Sequence, residues 1–479
     1  MLGILIRNQI LENMYGIKFV ITFIVCLVLM VGTAISGLGR YETQMRDERH
    51  IVTTNLGSLA EASDWRDAGE EGVKIVKPAN KLGIFSSGLE NAVGRTATVK
   101  EDDFPHMEDS IYSTAPIFAV FGEIDLTFII QTVISLFAIL FTYDMVSGEK
   151  ERGTLRQCLS NPVPRNTYIL GKSIGSFISL LIPFALPLLL SLLIILVVGG
   201  IQFSGDEWIR LALIIGGYVL YMLAFFSLGL LISTVTKNSA ISFLVLLFAW
   251  VLLVLVIPKG SMMIANQVHP IPGINDVRAD QFKLRENFNS TVWRRIAEEF
   301  DKAGGMSMDR SQRFAFFRQT RSEIRDELEP DFLSQNKKLI DDFKREQSNL
   351  TNLAMNLSRI SPASAITYIG MNLSATGYEE QENFLSQLSE FREEFTNFIE
   401  LEMEKEQAAM ASGRGFRGRM TAAQEQGTLE VERIPKFEYR PLELGDNMEA
   451  VLPDYASLII LSIVLYLLAF INFLKYDVR

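Results

Sequence analysis

The stretch Ile174–Val198, IGSFISLLIPFALPLLLSLLIILVV, runs for 25 residues without a charged side chain. An α-helix needs about 20 apolar residues to cross the hydrocarbon core of a bilayer. The stretch therefore predicts a membrane-spanning helix. Pro183 and Pro187 should kink it, either as a tolerated irregularity or as a bend that lines a pathway.

Five further stretches qualify, or nearly qualify, as membrane spans. They are Phe19–Ser36, Leu126–Tyr143, Leu211–Ser233, Ile241–Ile257 and Tyr455–Leu474. Pro258 is expected to end the fifth span of the chain. The first could instead be a signal peptide, because Ala34-Ile35-Ser36 resembles a cleavage site. Its apolar run is longer than the roughly 7–15 residues of a signal core, which favours a retained span.

The composition agrees with a membrane protein that also has large polar parts. Of 479 residues, 48% are apolar and 21% charged, with 45 basic and 56 acidic side chains and a net charge of −11. Charged and apolar residues are segregated along the chain, which excludes a purely soluble enzyme, a disordered tail and a disulfide scaffold. The acidic balance gives no sign of nucleic-acid binding. The 2 cysteines and 3 histidines are too scattered to predict a disulfide or a metal site.

The basic residues of the short loops predict the orientation, because such residues accumulate on the cytoplasmic side. If the chain crosses the membrane six times, the following basic residues all lie on the same side of it: Arg7, Lys18, Lys150, Arg152, Arg156, Arg165, Lys172, Lys237, Lys475 and Arg479. Both termini are therefore expected in the cytoplasm. Two large segments, about Gly37–Gly122 and Lys259–Pro453, are then expected outside.

The spans are almost free of ionisable side chains. Secondary transporters and charge-lined channels place such groups near the middle of the membrane. This argues against both classes, so any energy for transport should come from elsewhere.

Two segments outside the spans stand out on the cytoplasmic side. Leu2–Met14 repeats apolar residues every fourth position, which predicts an amphipathic helix on the membrane surface or a simple extension of the first span. Residues 143–156, YDMVSGEKERGTLR, form a densely charged, helix-capable stretch between two spans. The sequence Asn161-Pro162-Val163-Pro164, which follows it, should end any helix. A short rigid helix there suits docking of a soluble partner, and an ordinary positively charged loop is the alternative.

Residues Phe118–Pro183 resemble permeases of the type-2 ABC exporter (ABC-2) family. The resemblance rests on Asp144, Gly148–Leu155, Asn161–Arg165 and Leu170–Lys172, and the loop Ser233–Asn238 matches as well. The resemblance implies that the loop after the second span contains a coupling helix that docks into a separate ATPase subunit. The coupling residues would be Glu149, Lys150, Glu151, Arg152, Gly153, Thr154, Leu155 and Arg156.

The resemblance also implies that the chain is a non-catalytic permease subunit. No cofactor is expected on it, and ATP-Mg would be bound by the partner ATPase. Gly171-Lys172-Ser173 looks like the end of a phosphate-binding loop, but Asn166 stands where the pattern needs glycine. Hydrolysis should therefore be supplied by another chain.

The outside segments differ in predicted structure. Lys77–Phe85 and Gly88–Glu90 resemble a subgroup of these permeases with enlarged outside loops, and a small mixed fold is expected there. The second segment should be helical, including helices at Asp276–Ala303 and Asp309–Leu328. This segment also contains two apolar stripes. The stripes could pair as a helical hairpin, or they could bind an apolar cargo or a partner. One consists of Leu339, Phe343, Leu350, Leu353, Leu357 and Ile360, and the other of Phe384, Leu388, Phe391, Phe395 and Phe398.

The break between the stripes, Ser361–Ala365, is unusually apolar for an exposed turn. It resembles a segment that recurs in this subgroup. Ser361, Pro362, Ala363 and Tyr368 form a candidate exit or gate segment at the membrane surface, with burial inside the outside domain as the alternative. Arg414, Arg417 and Arg419 alternate with glycines, which is typical of a mobile linker.

The predicted fold is a mainly α, polytopic membrane protein with six transmembrane helices, a cytoplasmic coupling helix, a largely helical extracytoplasmic domain and a smaller mixed one. The predicted layout is an interfacial helix at 1–17, a coupling helix and loop at 146–165, outside domains at 38–122 and 258–453, and spans at 18–37, 123–145, 166–200, 208–235, 239–257 and 454–475.

The predicted function is that of an ATP-driven exporter permease in a bacterial-type inner (plasma) membrane. Its expected partners are an ABC ATPase subunit, a second permease subunit, membrane lipid and an extracytoplasmic protein, but no nucleic acid. The alternative is a membrane-anchored extracytoplasmic sensor or assembly factor that binds a partner without transport.

Overall fold

The structure, a computed structural model, describes residues 1–62, 64–100, 105–108, 124–160, 164–304, 309–411 and 429–476. Within these ranges, six helices are long and apolar enough to cross a membrane. Helix dominates the rest of the described chain, with little strand. The predicted mainly α, polytopic membrane fold is confirmed. The Gly/Arg stretch with Arg414, Arg417 and Arg419 lies outside the described residues.

The elements are numbered in chain order. They are α1 (Leu2–Met14), α2 (Ile17–Glu61), α3 (Trp65–Glu71), β1 (Val73–Val76), α4 (Glu90–Val93), β2 (Thr96–Val99), β3 (Met107–Glu108), α5 (126–142), α6 (Ser147–Arg152), α7 (Thr154–Ser160), α8 (Arg165–Val197), α9 (Gly205–Val235), α10 (239–256), α11 (Ile257–Val268), α12 (Ile274–Lys302), α13 (Arg310–Ser358), α14 (Pro362–Leu373), α15 (Tyr378–Ala411) and α16 (Leu444–Leu474). Single π-helical segments interrupt α5 at Ile130–Ile134 and end α10 at Val251–Val256. Short 3₁₀ turns occur at Lys81–Ile84 and Val431–Arg433.

The chain divides into two compact units, 1–255 with 361–479, and 256–360. The described residues of 258–453 therefore fall into two compact units rather than one. Residues 361–453 belong with the first unit because α14 and α15 bury their apolar faces on elements of that unit.

The first unit is built around a helical bundle. Helix α9 contacts α5 and α16, and α8 contacts α1 and α2. Its core includes the fully buried Met30, Phe184 and Tyr218. We call the end of this bundle that bears 143–160 and 236–238 the loop end, and the opposite end the domain end.

The close crossing of α5 and α9 depends on Gly229. A Cβ atom at Gly229 would overlap the Thr142 hydroxyl and lie 2.8 Å from its Cβ. Small residues let helix backbones approach closely, and overpacking at such a point is destabilising.

We expect Gly229→Ala to lower the free energy of unfolding by about 1–3 kcal/mol, because Thr142 has to shift. Gly216→Ala in the same helix is the control, since no neighbouring atom lies within 4 Å of its built Cβ. Unfolding of both purified variants in denaturant measures the difference. Equal stabilities would show that the crossing tolerates the added methyl group.

At the domain end, the described residues of 55–76, 95–108, 378–411 and 429–439 form one folded part, which we call the sheet domain. Strands β1, β2 and β3 form an antiparallel sheet in that order, with Val73 opposite Val99 and Thr96 opposite Glu108. Its core joins the sheet to the end of α2, α3 and α15. The buried side chains are Leu59, Trp65, Ala68, Ile75, Ala97, Val99, Phe384, Leu388, Phe391, Phe395, Ile399 and Ile434.

The predicted hairpin between the two apolar stripes is wrong. The stripe that begins at Phe384 packs in the sheet domain. Leu350 and Leu353 of the other stripe instead pack against Ala265 of α11. The stripe from Phe384 is largely buried, the other is mostly half-buried with Ile360 exposed, and each has a different partner.

The ends of two predicted spans also differ from the structure. Helix α2 continues from the predicted end at residue 37 to Glu61, and Asn55 binds the Gly72 carbonyl (3.2 Å) and the Lys74 amide (2.8 Å). Pro258 does not end the fifth helix, because the helix continues through it to Val268, directly after the π-helical segment Val251–Val256. The 30-residue helix Ser239–Val268 results.

The second unit consists of α11, α12 and α13. Helices α12 and α13 pair through Val292, Ile296 and Ile324. Helix α13 runs for 49 residues and includes Pro330, so the helix predicted at Asp309–Leu328 and the stripe after it form one element.

Glu380 of the sheet domain is a buried carboxyl group, 2% exposed. The Tyr439 hydroxyl and the Leu442 amide (3.4 Å) donate to it. Burial raises its pKa above the ordinary 4.5, against the opposing effects of these bonds and of Lys77.

We expect Glu380 to make the stability of the protein depend on pH. Because its folded-state pKa is raised, its contribution is full below about pH 4.5 and is lost as the pH rises through the folded-state pKa. Melting temperatures measured from pH 4 upward, at about 0.5 pH intervals, should therefore fall less steeply in Glu380→Gln than in the wild type. Parallel pH profiles would contradict this assignment.

Candidate functional site

The charged stretch at the loop end forms two short helices. Helix α6 ends at Gly153, whose φ of 74° lies in the left-handed region that glycine adopts without strain. Helix α7 then starts at Thr154. The turn points Leu155 into the core and leaves Arg152 and Arg156 exposed.

Helix α6 is attached to the end of α9. The Ser233 hydroxyl accepts hydrogen bonds from the amides of Val146 and Ser147, both at 3.0 Å. The Lys150 ammonium donates to the carbonyls of Thr234 and Thr236, the latter at 3.1 Å. The two bonds from Lys150 satisfy backbone carbonyls at the end of α9, and the two bonds to Ser233 satisfy backbone amides at the start of α6.

Glu149 attaches α6 to α8. Its carboxylate forms an ion pair with Lys172 and accepts a hydrogen bond of 2.6 Å from the Tyr168 hydroxyl. The side chains of Glu149 and Lys172 are only 16% and 10% exposed. Lys172, which lies in the phosphate-loop-like triplet, is thus a helical residue paired with Glu149.

Further contacts connect the same segment to other spans. The Glu151 carboxylate accepts a hydrogen bond of 3.0 Å from the Ser239 amide, at the start of α10. Asp144, just before α6, forms a 2.7 Å ion pair with Lys18 of α2. Lys150 also lies over the ring of Tyr476, after α16, at 4.9 Å. The segment 143–160 therefore contacts α2, α8, α9, α10 and the end of α16.

Helix α1 packs on the same end of the bundle. Leu5 lies against Gly171, and the Asn13 amide donates to the Ser176 hydroxyl at 3.3 Å. The helix is separate from α2, since it ends at Met14 and α2 begins at Ile17. It is therefore not a simple extension of the first span.

The eight predicted coupling residues fall into two groups. Glu149, Lys150 and Leu155 are partly or fully buried, and they attach the segment to the bundle. The exposed group is Glu151, Arg152, Gly153, Thr154 and Arg156. Asn161, Pro162 and Val163 lie outside the described residues. Sequence reasoning missed Tyr168 and Ser239 because polar residues near span ends have no distinctive spacing, and it named Ser233 only as part of the matching loop Ser233–Asn238.

The candidate exit segment is a helix at the domain end. The Ser361 hydroxyl donates to the Leu253 carbonyl and accepts from the Ala363 amide at 3.1 Å, which starts α14. Ser361, Pro362 and Ala363 are buried, and Tyr368 is half-buried. Ile369 packs against Gly217 of α9. The segment thus contacts the spanning helices directly.

The turn after α14 is connected to the loop before α5. The Leu89 amide donates to the Thr376 carbonyl (2.8 Å), and the Ser374 hydroxyl donates to the Ser86 carbonyl (3.1 Å). Asp125 at the start of α5 accepts from the Ser87 amide at 3.0 Å. Residues 86–89, 125 and 374–376 therefore form one hydrogen-bonded layer beneath the sheet domain. Across the described residues, no three His, Cys, Asp or Glu side chains come together as potential metal ligands.

A bundle of six helices that are long and apolar enough to cross a membrane, with a short charged helix attached to most of them, defines a membrane-spanning protein. A family model described as "ABC-2 family transporter protein" matches residues 4–478. The chain therefore belongs to the ABC-2 family, as its resemblance at Phe118–Pro183 predicted, and it is a permease subunit of an ABC transporter. A comparison with curated proteins gives no match.

Family membership also bears on catalysis and partners. ABC-2 permeases are typically the non-catalytic membrane component of the transporter. Membership implies association with an ABC ATPase subunit.

Proposed function

We propose that this chain couples ATP hydrolysis by separate ATPase subunits to the export of cargo or to a change in the sheet domain. In this proposal α6 and α7 form the coupling helix. Glu151, Arg152, Gly153, Thr154 and Arg156 contact the ATPase, and ATP-Mg is bound there and not by this chain.

The observation that carries the proposal is the attachment of one exposed segment to several spanning helices. Glu149 pairs with Lys172 of α8, Ser233 of α9 binds the start of α6, and Glu151 binds Ser239 of α10. A displacement of the exposed face would therefore move several spans together, because the buried contacts transmit the force.

Further elements of the proposal concern orientation and assembly. The loop end faces the cytoplasm of a bacterial-type inner membrane, with both termini on that side, as the basic loops favour. A second permease subunit, identical or related, completes the pathway. The sheet domain and the unit 256–360 then lie outside, where an extracytoplasmic protein could bind.

We also propose that α14 acts at the exit of the pathway. Its contacts with α9 and with the layer at 86–89, 125 and 374–376 support this role, since they join the spans to the sheet domain. A movement of α9 would change the position of Tyr368 at the domain end.

The coupling role can be tested with Arg152→Ala, which changes the exposed face and leaves the buried anchors in place. Arg46→Ala is the control, because Arg46 is also an exposed helical arginine with a local contact, but on the distant part of α2. We expect Arg152→Ala to weaken co-purification with the ATPase and to lower ATPase activity of the reconstituted complex, with Arg46→Ala unchanged. Purification of the wild type without any ATPase would favour the sensor or assembly factor instead.

A further inference from the structure

A cavity of about 570 Å³ opens at the domain end of the bundle, where α9 and α16 begin. Its volume lies within the roughly 300–1,000 Å³ that is typical of ligand sites. It is lined by the first turns of α9 and α16, the loop before α16, the segment with Asn80 and Leu82, and Ala375 after α14. All of these segments belong to the first compact unit. Polar and apolar residues therefore meet in one concave site.

Hydrogen bonds hold the walls of this cavity in place. Arg210 of α9 is only 6% exposed, and its guanidinium donates to the Asp206 carboxylate (2.6 Å) and to the Leu442 carbonyl (2.9 Å). On another wall, the Asn80 amide donates to the Ser374 carbonyl (2.5 Å). These bonds connect α9 to the loop before α16, and Asn80 to the turn after α14. The cavity is therefore part of the fold itself and does not depend on a bound molecule.

The charges that line the cavity do not balance. The lining includes three carboxylates and one guanidinium, those of Asp206, Glu207, Glu443 and Arg210. Asp206 is paired with Arg210, and Glu207 is paired with Lys81 at 3.0 Å. Within the described ranges, the Glu443 carboxylate has no hydrogen bond or ion pair, and it does not cap α16. One negative charge is thus left over, and it attracts a cation into a cleft with low-dielectric walls.

The cavity should lie at the level of the lipid headgroups. Asp206 is about 8 Å along α9 from Leu211, where the apolar span begins, at 1.5 Å per residue. Trp208 and Ile209, which lie between them, are 42% and 53% exposed. Tryptophan is enriched where membrane and water meet. A ligand can therefore reach this cavity either from the lipid or from solution.

We propose that this cavity binds a primary ammonium group, which donates hydrogen bonds to the Glu443 carboxylate. An ammonium group has three donors and no acceptor, so it suits a carboxylate without a partner. Pro441 and Leu444 provide apolar surface for the rest of the ligand. The ammonium group belongs either to a lipid headgroup, as in phosphatidylethanolamine, or to a soluble amine. Because Ala375 follows α14, such a ligand would be cargo at the exit; this description, but not the binding, rests on the proposed export function.

Binding to the full-length protein in detergent tests the site with two probes. Native mass spectrometry measures retention of phosphatidylethanolamine, and the melting temperature measures stabilisation by ethanolamine at constant ionic strength. We expect Glu443→Gln to weaken binding of at least one probe by at least about tenfold, because a charged hydrogen bond is lost. Glu449→Gln is the control, since Glu449 is an exposed glutamate of the same helix that does not line the cavity. Phosphatidylglycerol, which has no ammonium group, should bind equally to the wild type and to Glu443→Gln.

The two probes distinguish the sources of the ligand. Weaker retention of phosphatidylethanolamine identifies a lipid headgroup, and a loss confined to ethanolamine identifies a soluble amine. Equal binding of both probes by the wild type and Glu443→Gln would overturn the proposal, as would an equal loss in Glu449→Gln. If Glu443→Gln fails to fold, Gly445→Trp provides the comparison, because Gly445 lines the cavity and no atom lies within 4 Å of its built Cβ. These measurements require no ATPase, so their failure is distinguishable from failure of the coupling proposal.

Discussion

Replacing Lys172 with methionine should lower the free energy of unfolding by about 3–5 kcal/mol, because it leaves the Glu149 carboxylate buried without its charged partner. The ion pair is shielded from water, with side chains 10% and 16% exposed. The Tyr168 hydroxyl alone cannot replace an ammonium group. Unfolding of the purified protein in denaturant measures the loss.

Two further variants isolate the cause. The double variant Glu149→Gln, Lys172→Met removes both charges and should recover most of the stability, since no isolated charge remains. Lys237→Met is the control, because Lys237 is an exposed lysine at the same end of the bundle. A stability of Lys172→Met equal to that of Lys237→Met would mean that the pair is not a structural anchor.

The same variants connect stability to coupling. If α6 transmits force to α8 through this pair, the double variant should bind the ATPase but couple hydrolysis less efficiently than the wild type. The measurement is ATPase activity of the reconstituted complex, compared with the amount of ATPase that co-purifies. Normal activity together with normal binding would show that other contacts of α6 suffice.

Phe395→Ala should also cost about 3–5 kcal/mol, because the side chain is fully buried in the core of the sheet domain and its loss leaves a cavity. Phe395 packs among residues from two distant parts of the chain, including Trp65 and Val99. The change should therefore loosen the described residues of 55–76, 95–108 and 378–411 together. Limited proteolysis of the full-length protein would detect faster cleavage in both regions.

Phe282→Ala provides the matched control for this prediction. Phe282 is also a helical phenylalanine, but it is 68% exposed, so its loss should change stability by less than about 0.5 kcal/mol. Faster cleavage confined to 378–411 would indicate that the two parts of the sheet domain do not depend on each other.

How much of the structure could be predicted from the sequence depends on whether a physical effect acts within one segment or between distant segments. Ile174–Val198 could be recognised as a span because the cost of placing charge in lipid depends on that segment alone. The apolar stripe from Phe384 to Phe398 was recognisable as a buried face for a similar reason. Its partner was not recognisable, because any apolar surface of suitable shape satisfies the same pattern.

In the candidate site too, some features could be predicted from one segment of sequence and others depended on how the segments pack. The charged stretch after the second span, with Gly153 inside it, marked the segment in advance. Its separation into anchors and exposed residues required the fold, since Glu149 and Glu151 have the same chemistry and differ only in their neighbours. Tyr168 and Ser233 became part of the site because separate helices end at the same place.

The sequence by itself determined the number of spans, the polar loop between the second and third spans and the resemblance to ABC-2 permeases. The tertiary structure decided that α14 packs on the spans, that the sheet domain combines two distant segments, and that the starts of α9 and α16 line one cavity. The physical reason is that hydrophobicity and helix periodicity act within a segment. The choice among apolar and hydrogen-bonding partners is made when all segments pack together.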